Sequence, residues 1–196
     1  MLARAREKAG DLPNLRFVLG RMEEFDLGEQ FGLIFICYSS FADLKSVEAQ
    51  ERTLRNIRRH LKKGGKVIID IFVPNEQLLG KPFTDHQTRE KHLALELQAP
   101  NSGQHYKVWE SAYHIPNEQV FEIERMIQTF DSLGKVVGTP QHFHLRGRYL
   151  HRFEIQHLLR LCGFEIVNLY GGFNREPFDR TSKRMIWVAT PSTIHS

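Results

Sequence analysis

Continuous apolar runs alternate with amphipathic segments along most of this chain. GLIFICYSS (32–40) and KVIIDIF (66–72) are predominantly apolar, which is typical of strands that are covered on both faces of a parallel sheet. Between them, residues 46–62 place apolar side chains on one helical face and arginines away from it. A strand, a helix and a strand in this order predict a right-handed crossover unit, and therefore an α/β fold.

The two ends of the chain continue this pattern. Residues 1–9 predict the end of an amphipathic helix, and LRFVLG (15–20) predicts a short strand. Near the other end, the pattern predicts a helix over 152–161 and strands over 164–171 and 183–190. These last elements are expected to complete the same sheet.

The middle of the chain has a different character. Residues 73–104 are mixed polar with three prolines, which favours an irregular or partly helical connection. From 106 to 149, polar and apolar residues alternate around turns at 115–119 and 131–135. This alternation predicts an inserted antiparallel three-stranded meander.

Alternation also predicts which side chains of the meander share a face. Alternate positions, counted through the turns, assign the apolar face to Trp109, Tyr113, Ile115, Phe121, Ile123, Ile127, Phe143, Leu145 and Tyr149. They assign the polar face to Glu110, His114, Glu122, Glu124, Gln128, His142, His144, Arg146 and Arg148.

Composition narrows the class of protein. A chain of 196 residues with 41% hydrophobic and 26% charged residues is ordinary for a globular protein. No apolar run approaches the roughly 20 residues that a membrane helix needs, and MLARAREKAG lacks the apolar stretch of a signal peptide. The sequence therefore predicts a cytoplasmic protein without a membrane partner.

Charge and cysteine usage argue against two further classes, nucleic-acid-binding proteins and domains held together by disulfides or zinc. The net charge of +4 and the pI of 9.1 raise the question of nucleic acid, but the densest basic stretch (55–63) ends a predicted helix and has no interleaved aromatic residues. Cys37 and Cys162 stand far apart in apolar contexts, so both are predicted to be small core residues. The pair His142 and His144 has no third ligand in view, and no metal site is predicted.

Several strings carry a resemblance to a known fold. FGLIFICYSSF (31–41) resembles the fourth strand of class I S-adenosylmethionine-dependent methyltransferases, and HLKKGGKVIIDIF (60–72) resembles their helix end, GG turn and fifth strand. LRLCGFEIVNLYGGF followed by TSKRMIWVAT resembles their last helix and terminal strand pair, which includes a reversed strand. The resemblance implies a Rossmann-like sheet of order 3-2-1-4-5-7-6, strands 3 to 7 in this chain, and S-adenosylmethionine as cofactor.

The same resemblance implies a sheet that lacks its first two strands. Those strands carry the family's glycine-rich turn under the cofactor, and no GxGxG string occurs in this sequence. Met1 and Leu2 resemble the interior of the family's second helix, so an N-terminally truncated methyltransferase is expected. The expected units are a partial core (1–72), an inserted substrate-covering sheet (73–149) and the C-terminal part of the core (150–196).

Site residues are carried over from the family by position. The cofactor-binding candidates are Arg21, Met22, Cys37, Tyr38 and Ser39. The last three end the fourth strand, beside the transferred methyl group, although a strand end packed into the core is the alternative. Arg21 departs from the family, where an acidic residue often accepts a hydrogen bond from the adenine amino group, because a guanidinium has donors only. Glu23 or Glu24 would have to serve instead.

The meander resembles the substrate-covering sheet of small-molecule methyltransferases, including some aminosugar N-methyltransferases. The substrate candidates are the pocket walls Trp109 and Tyr113 and the anion-binding Arg146 or Arg148. The alternative is that the aromatic residues pack on the core and the arginines are solvated or lie at a dimer contact. Glu110 and His114 are possible bases, and no catalytic residue is assigned.

The resemblance implies methyl transfer to a nitrogen or oxygen of a small-molecule substrate. A catalytically inactive methyltransferase-like subunit, or a protein that binds a partner, is the alternative that the missing strands and Arg21 favour. Substrate and oligomeric state stay open, with a homodimer as one possibility.

Overall fold

A computed structural model of the chain describes residues 2–10, 12–74, 81–82, 91–99 and 103–193. The described helices are α1 (Leu2–Ala9), α2 (Val47–Arg59), α3 (Arg152–Leu161) and a short 3-10 helix (Ser40–Asp43). None of them is long and apolar enough to cross a membrane.

The described strands form two sheets. The first contains β1 (Phe31–Ile36), β2 (Leu61–Phe72), β8 (Phe164–Tyr170) and β9 (Arg184–Pro191). The second contains β3 (Lys81–Pro82), β4 (His92–Gln98), β5 (His105–Ile115), β6 (Val120–Phe130) and β7 (Val136–Arg148). The mixed α/β architecture predicted from the sequence is confirmed.

The first sheet has the order β1-β2-β9-β8. Strands β1 and β2 are parallel and joined through α2, whereas β9 runs antiparallel to both of its neighbours, β2 and β8. The parallel pairing of the two strands in the predicted strand-helix-strand unit and the predicted reversed strand are both confirmed. Helices α2 and α3 pack on this sheet, and the largest buried side chains of the core include Trp187, Phe41, Leu54, Ile57, Ile69, Leu159 and Met185.

The predicted strand at 15–20 is wrong. The structure describes these residues without any strand, and within the described ranges no strand pairs with the outer edge of β1. Leu19 is 85% exposed and Val18 is 51% exposed. An apolar sequence forms a strand only where a neighbouring strand takes its backbone hydrogen bonds, and within the described ranges no strand lies beside 15–20.

The second sheet lies between β2 and α3 in the chain and contains the predicted meander as β5, β6 and β7. The expectation of an irregular connection over 73–104 is wrong where it meets β4, which pairs antiparallel with β5. Leu93, Leu95 and Leu97 alternate in this strand, so its pattern is that of a strand despite the prolines on either side. The parts of this connection at 75–80, 83–90 and 100–102 lie outside the described residues.

The predicted faces of the meander are wrong between β5 and β6. Ile115 pairs with Val120, so odd positions of β5 lie opposite even positions of β6. Four residues separate Ile115 from Val120. Because this number is even, the residue that faces Ile115 across the turn is an even-numbered one, whereas alternation counted straight through the turn places odd-numbered residues there. Trp109 and Tyr113 therefore share a face with Glu122, and Phe121 lies on the other face.

The two sheets meet at the ends of β2, β6 and β7. The ring of Phe121 lies edge-on to that of Phe72, with 5.6 Å between their centroids. Gly147 contacts the same Phe121 ring, where a Cβ atom would stand 2.5 Å from it and 3.1 Å from the carbonyl oxygen of Ala42. The second sheet thus abuts the carboxyl end of β2 and the 3-10 helix that follows β1.

Candidate cofactor site at the end of strand β1

The backbone turns sharply where β1 ends. Tyr38 and Ser39 have φ angles of 59° and 58°, the left-handed region that residues with a Cβ rarely adopt. Such a conformation costs on the order of 1–3 kcal/mol per residue and persists only where the surroundings fix it. The Tyr38 side chain is 94% exposed, so the turn presents an aromatic ring to solvent at the edge of the sheet.

Asp70 of β2 holds this turn. Its carboxylate Oδ2 accepts a hydrogen bond from the Tyr38 N–H at 3.1 Å, and its carbonyl oxygen accepts one from the Ser39 N–H at 3.2 Å. The Ser39 hydroxyl in turn accepts the Phe72 N–H at 3.1 Å. Three hydrogen bonds therefore fix the strained turn to the neighbouring strand.

Arg184 of β9 binds the same carboxylate from the other side. Its Nε and Nη2 donate to Asp70 Oδ1 at 2.6 Å and Oδ2 at 2.5 Å, the bidentate geometry that suits a guanidinium. The guanidinium also lies 5.4 Å from the centroid of the exposed Phe173 ring. Asp70 is only 5% exposed, and this pairing offsets the cost of burying its charge.

Two adjoining cavities lie beside β1. One has a volume of about 380 Å³, and its lining includes Arg21, Met22, Leu33 and Phe35. The other has a volume of about 270 Å³, and its lining includes Met22, Phe35, Cys37, Ser40 and Thr53. The structure thus brings Arg21, Met22 and Cys37 together, whereas Tyr38 and Ser39 lie just beyond the second cavity in sequence and do not line it.

Cys37 and Cys162 differ in burial. Cys162 is buried in the core, as predicted, and burial raises the pKa of its thiol. Cys37 is exposed, so its predicted place in the core is wrong. The reason is that β1 ends at Ile36, and the residue after it turns toward the cavity.

Arg21 is engaged by its own neighbours. Its guanidinium donates to Glu23 Oε1 from Nε at 2.9 Å and lies 3.7 Å from Glu24. The hydrogen bond and the charge of Glu23 raise the pKa of Arg21, and the hydrogen bond from Arg21 lowers the pKa of Glu23. Glu23, one of the two carboxylates expected to replace the missing acidic residue, is therefore already paired.

The four substrate candidates share one face of the second sheet. Register places Trp109 and Tyr113 of β5 on the same face as Arg146 and Arg148 of β7, across β6. Arg148 is half-buried, and its Nε has no hydrogen-bond partner among the described residues. Whether this face binds a substrate stays a prediction.

Glu122 is the centre of a polar cluster on that face. Its Oε2 accepts hydrogen bonds from the Tyr113 hydroxyl at 2.5 Å and from His144 Nε2 at 2.9 Å. Arg146 lies 3.6 Å from the other oxygen of Glu122 and 3.7 Å from Glu118. The charge of Arg146 therefore faces two carboxylates of the protein itself.

In Glu122→Gln, the free energy of unfolding is expected to decrease less than in the wild type as the pH falls. Burial raises the pKa of Glu122, but the hydrogen bonds from Tyr113 and His144 and the charge of Arg146 lower it by more, so it lies below the usual 4.5. The ionised Glu122 carboxylate therefore stabilises the folded state. This contribution is complete above the unfolded-state pKa and is lost as the pH falls through the lower folded-state pKa. Its size is about 1 kcal/mol or less, because Arg146 and His144 are half-exposed.

Urea unfolding between pH 7 and pH 3 measures this difference. Glu165→Gln, on an exposed position of β8, is the matched control and should leave the pH dependence unchanged. An identical pH dependence in the wild type and Glu122→Gln would contradict the assigned network.

Within the described ranges, no group of three or more histidine, cysteine, aspartate or glutamate side chains is placed to hold a metal ion. His144 instead bonds Glu122.

Sequence reasoning missed Asp70, which holds the turn of the candidate site, and its ion-pair partner Arg184. The available signal was a single aspartate inside the otherwise apolar strand KVIIDIF, because a buried carboxylate requires a partner.

Comparison with known proteins gives a sequence match and a fold match. Residues 1–65 match the family described as a methyltransferase domain. No curated protein matches the chain in sequence.

Among solved structures, the chain is similar to the CcbJ methyltransferase from Streptomyces caelestis, with 22% identity and a TM-score of 0.77 over 98% of this chain and 71% of that one. An S-adenosylmethionine-dependent methyltransferase from Clostridium acetobutylicum is 14% identical, with a TM-score of 0.78 over 97% and 71%. CalS10, an amino pentose methyltransferase from Micromonospora echinaspora, is 20% identical, with a TM-score of 0.66 over 97% and 70%. The fold is that of these class I enzymes.

Proposed function

We propose that this chain, which has the class I methyltransferase fold and a methyltransferase-domain match over residues 1–65, binds S-adenosylmethionine in the two cavities beside β1. The observation that carries the proposal is the convergence of Met22 and Cys37, from two separate segments, on adjoining cavities at the end of that strand. CalS10 is described with S-adenosylmethionine bound, which supports the choice of cofactor.

The lining of the cavities fits the adenosine part of this cofactor. Met22, Phe25 and Phe35 line both cavities and offer apolar contact to a flat ring. The Thr53 hydroxyl is buried in the wall of the second cavity without a hydrogen-bond partner among the described residues. A buried polar atom without a protein partner requires one from a ligand or from an ordered water.

The turn at Cys37, Tyr38 and Ser39 would then lie nearest the reacting group. S-adenosylmethionine supplies an electrophilic methyl group on a positively charged sulfonium. The protein's part is to align that methyl with the acceptor and to exclude water. The exposed aromatic face of Tyr38 suits a sulfonium, because an aromatic face attracts a cation.

The acceptor is proposed to be a nitrogen or oxygen of a small molecule. CalS10 is described as acting in calicheamicin biosynthesis on an amino pentose, which supports this class of substrate. The face of the second sheet that carries Trp109, Tyr113, Arg146 and Arg148 is the proposed substrate wall. The division into three units, the cytoplasmic location and a homodimer stay predictions.

A second candidate function has one observation in its favour. Leu33 and Phe35 of β1 are 50% and 63% exposed, an unusual position for large apolar side chains of a sheet. A non-catalytic methyltransferase-like protein would cover them with a partner protein. Cofactor binding discriminates between the two candidates.

Isothermal titration calorimetry with S-adenosylhomocysteine tests the proposal. We expect saturable binding with a dissociation constant in the micromolar range, and about tenfold weaker binding by Met22→Ala, since that side chain lines both cavities. Leu133→Ala, in the exposed turn after β6, is the control and should bind like the wild type. Absence of binding at about 1 mM ligand would overturn the proposal and favour the second candidate.

A further inference from the structure

Asp70 links three parts of the candidate site to one another. Its backbone and side chain accept two consecutive N–H groups of the Tyr38–Ser39 turn, and its carboxylate is shared with Arg184. Arg184 in turn stacks against Phe173, which is 72% exposed in the loop between β8 and β9. One buried carboxylate thus connects the ends of β1, β2 and β9.

The turn depends on these acceptors because neither of its residues is glycine. A left-handed Tyr38 and a left-handed Ser39 are each unfavourable alone, and the hydrogen bonds to Asp70 are the described contacts that hold both N–H groups. A charged acceptor forms a stronger hydrogen bond than a neutral one. Removing the charge of Asp70 would therefore release the turn at Tyr38 first.

We propose that Asp70 is a positioning residue, which fixes the left-handed Tyr38–Ser39 turn in the conformation that receives the sulfonium end of the cofactor. The place of the cofactor in this inference rests on the proposed function, whereas the conformation of the turn does not. Asp70 acts through the Tyr38 N–H and is not itself a catalytic residue. Arg184 forms an ion pair with the same carboxylate and offsets the cost of burying it, so its part is the stability of the fold and not the position of the turn.

Calorimetry on two variants separates positioning from stability. Asp70→Asn places an uncharged amide against Arg184, whereas Arg184→Gln leaves the Asp70 carboxylate free to accept the Tyr38 N–H. Both lose the same ion pair, so both should unfold at lower urea concentrations. We expect Asp70→Asn to bind S-adenosylhomocysteine at least about tenfold more weakly and Arg184→Gln to stay within about threefold of the wild type.

Thr190→Val is the matched control. Thr190 lies on β9 with Arg184 and donates its hydroxyl hydrogen bond to the Gly65 carbonyl at the opposite end of the sheet. This variant loses a hydrogen bond but no contact with the turn, so its affinity should equal that of the wild type. Equal weakening by Asp70→Asn and Arg184→Gln would assign the pair a purely structural role and overturn the proposal.

Amide hydrogen exchange of the ligand-free protein tests the turn independently of the cofactor. The Tyr38 N–H should exchange at least about tenfold more slowly than an unstructured amide in the wild type and in Arg184→Gln. A wild-type protein that binds no ligand but shows this protection would contradict the proposed function alone. Exchange of the wild-type Tyr38 N–H at the unstructured rate would overturn the role of Asp70, even if Asp70→Asn does not fold.

Discussion

Replacing Trp187 by alanine is expected to lower the free energy of unfolding by about 3–5 kcal/mol. Trp187 lies in the middle of β9, between Ile69 of β2 and Leu169 of β8, and is 1% exposed. It is the largest fully buried side chain of the described residues. Alanine would leave a cavity in the core cluster, to which the sheet and both helices contribute side chains, and the strand pairing on either side prevents its collapse.

Urea unfolding at neutral pH measures this loss, and Trp187→Phe is the matched variant. The indole Nε1 is buried and has no hydrogen-bond partner among the described residues. Phenylalanine keeps most of the apolar volume and removes an unsatisfied donor, so its cost should be about 1–2 kcal/mol. If Trp187→Phe were as destabilising as Trp187→Ala, the indole N–H would have a partner, contrary to the structure.

The elements that the sequence predicted well carry long apolar patterns. Strand β2, helix α3 and the pair β8 and β9 are of this kind, and each contributes buried side chains to the described core. Such patterns specify an element by themselves, since the burial of the side chains decides the conformation. The segment 15–20 is equally apolar, but its conformation depends on a strand neighbour that the local pattern does not reveal.

The candidate site shows a second limit of prediction. Positions taken from the family resemblance led to Met22 and Cys37, and the structure brings both to adjoining cavities. Asp70 and Arg184 are 114 residues apart, and their contact follows from the pairing of β2 with β9. No local pattern in the sequence reveals a contact between residues so far apart along the chain, so the partner of Asp70 could be found only once the strand order was known.

Turn length decided the faces of the second sheet in the same way. The sequence correctly placed the turn between Ile115 and Val120, but one residue more or less in that turn reverses every contact across it. As a result, Tyr113 meets Glu122 instead of Phe121. Alternation along one strand is a local property, whereas the phase between two strands is set by their register.

Gly65→Ala is expected to lower the free energy of unfolding by about 1–3 kcal/mol, because backbone atoms surround the position of the missing Cβ. A Cβ there would stand 2.9 Å from the Lys62 carbonyl oxygen and 3.0 Å from that of Phe31. These atoms belong to the irregular start of the β1 and β2 pairing, where Phe31 pairs with Leu61 and Leu33 with Lys66. The glycine thus allows a bulge between the strands and does not cap α2, which ends at Arg59.

Gly32→Ala is the matched control, since Gly32 lies in β1 at the same bulge. A Cβ on Gly32 would meet no atom within 4 Å, and neither glycine has a positive φ. Alanine should therefore be neutral or stabilise by about 0.5–1 kcal/mol through its smaller entropy loss on folding. Urea unfolding of both variants measures the two free energies of unfolding. Equal values would mean that Gly65 tolerates a side chain and that β1 and β2 can separate at the bulge. That result would contradict the close packing that aligns β1 with β2 and carries the turn at Tyr38.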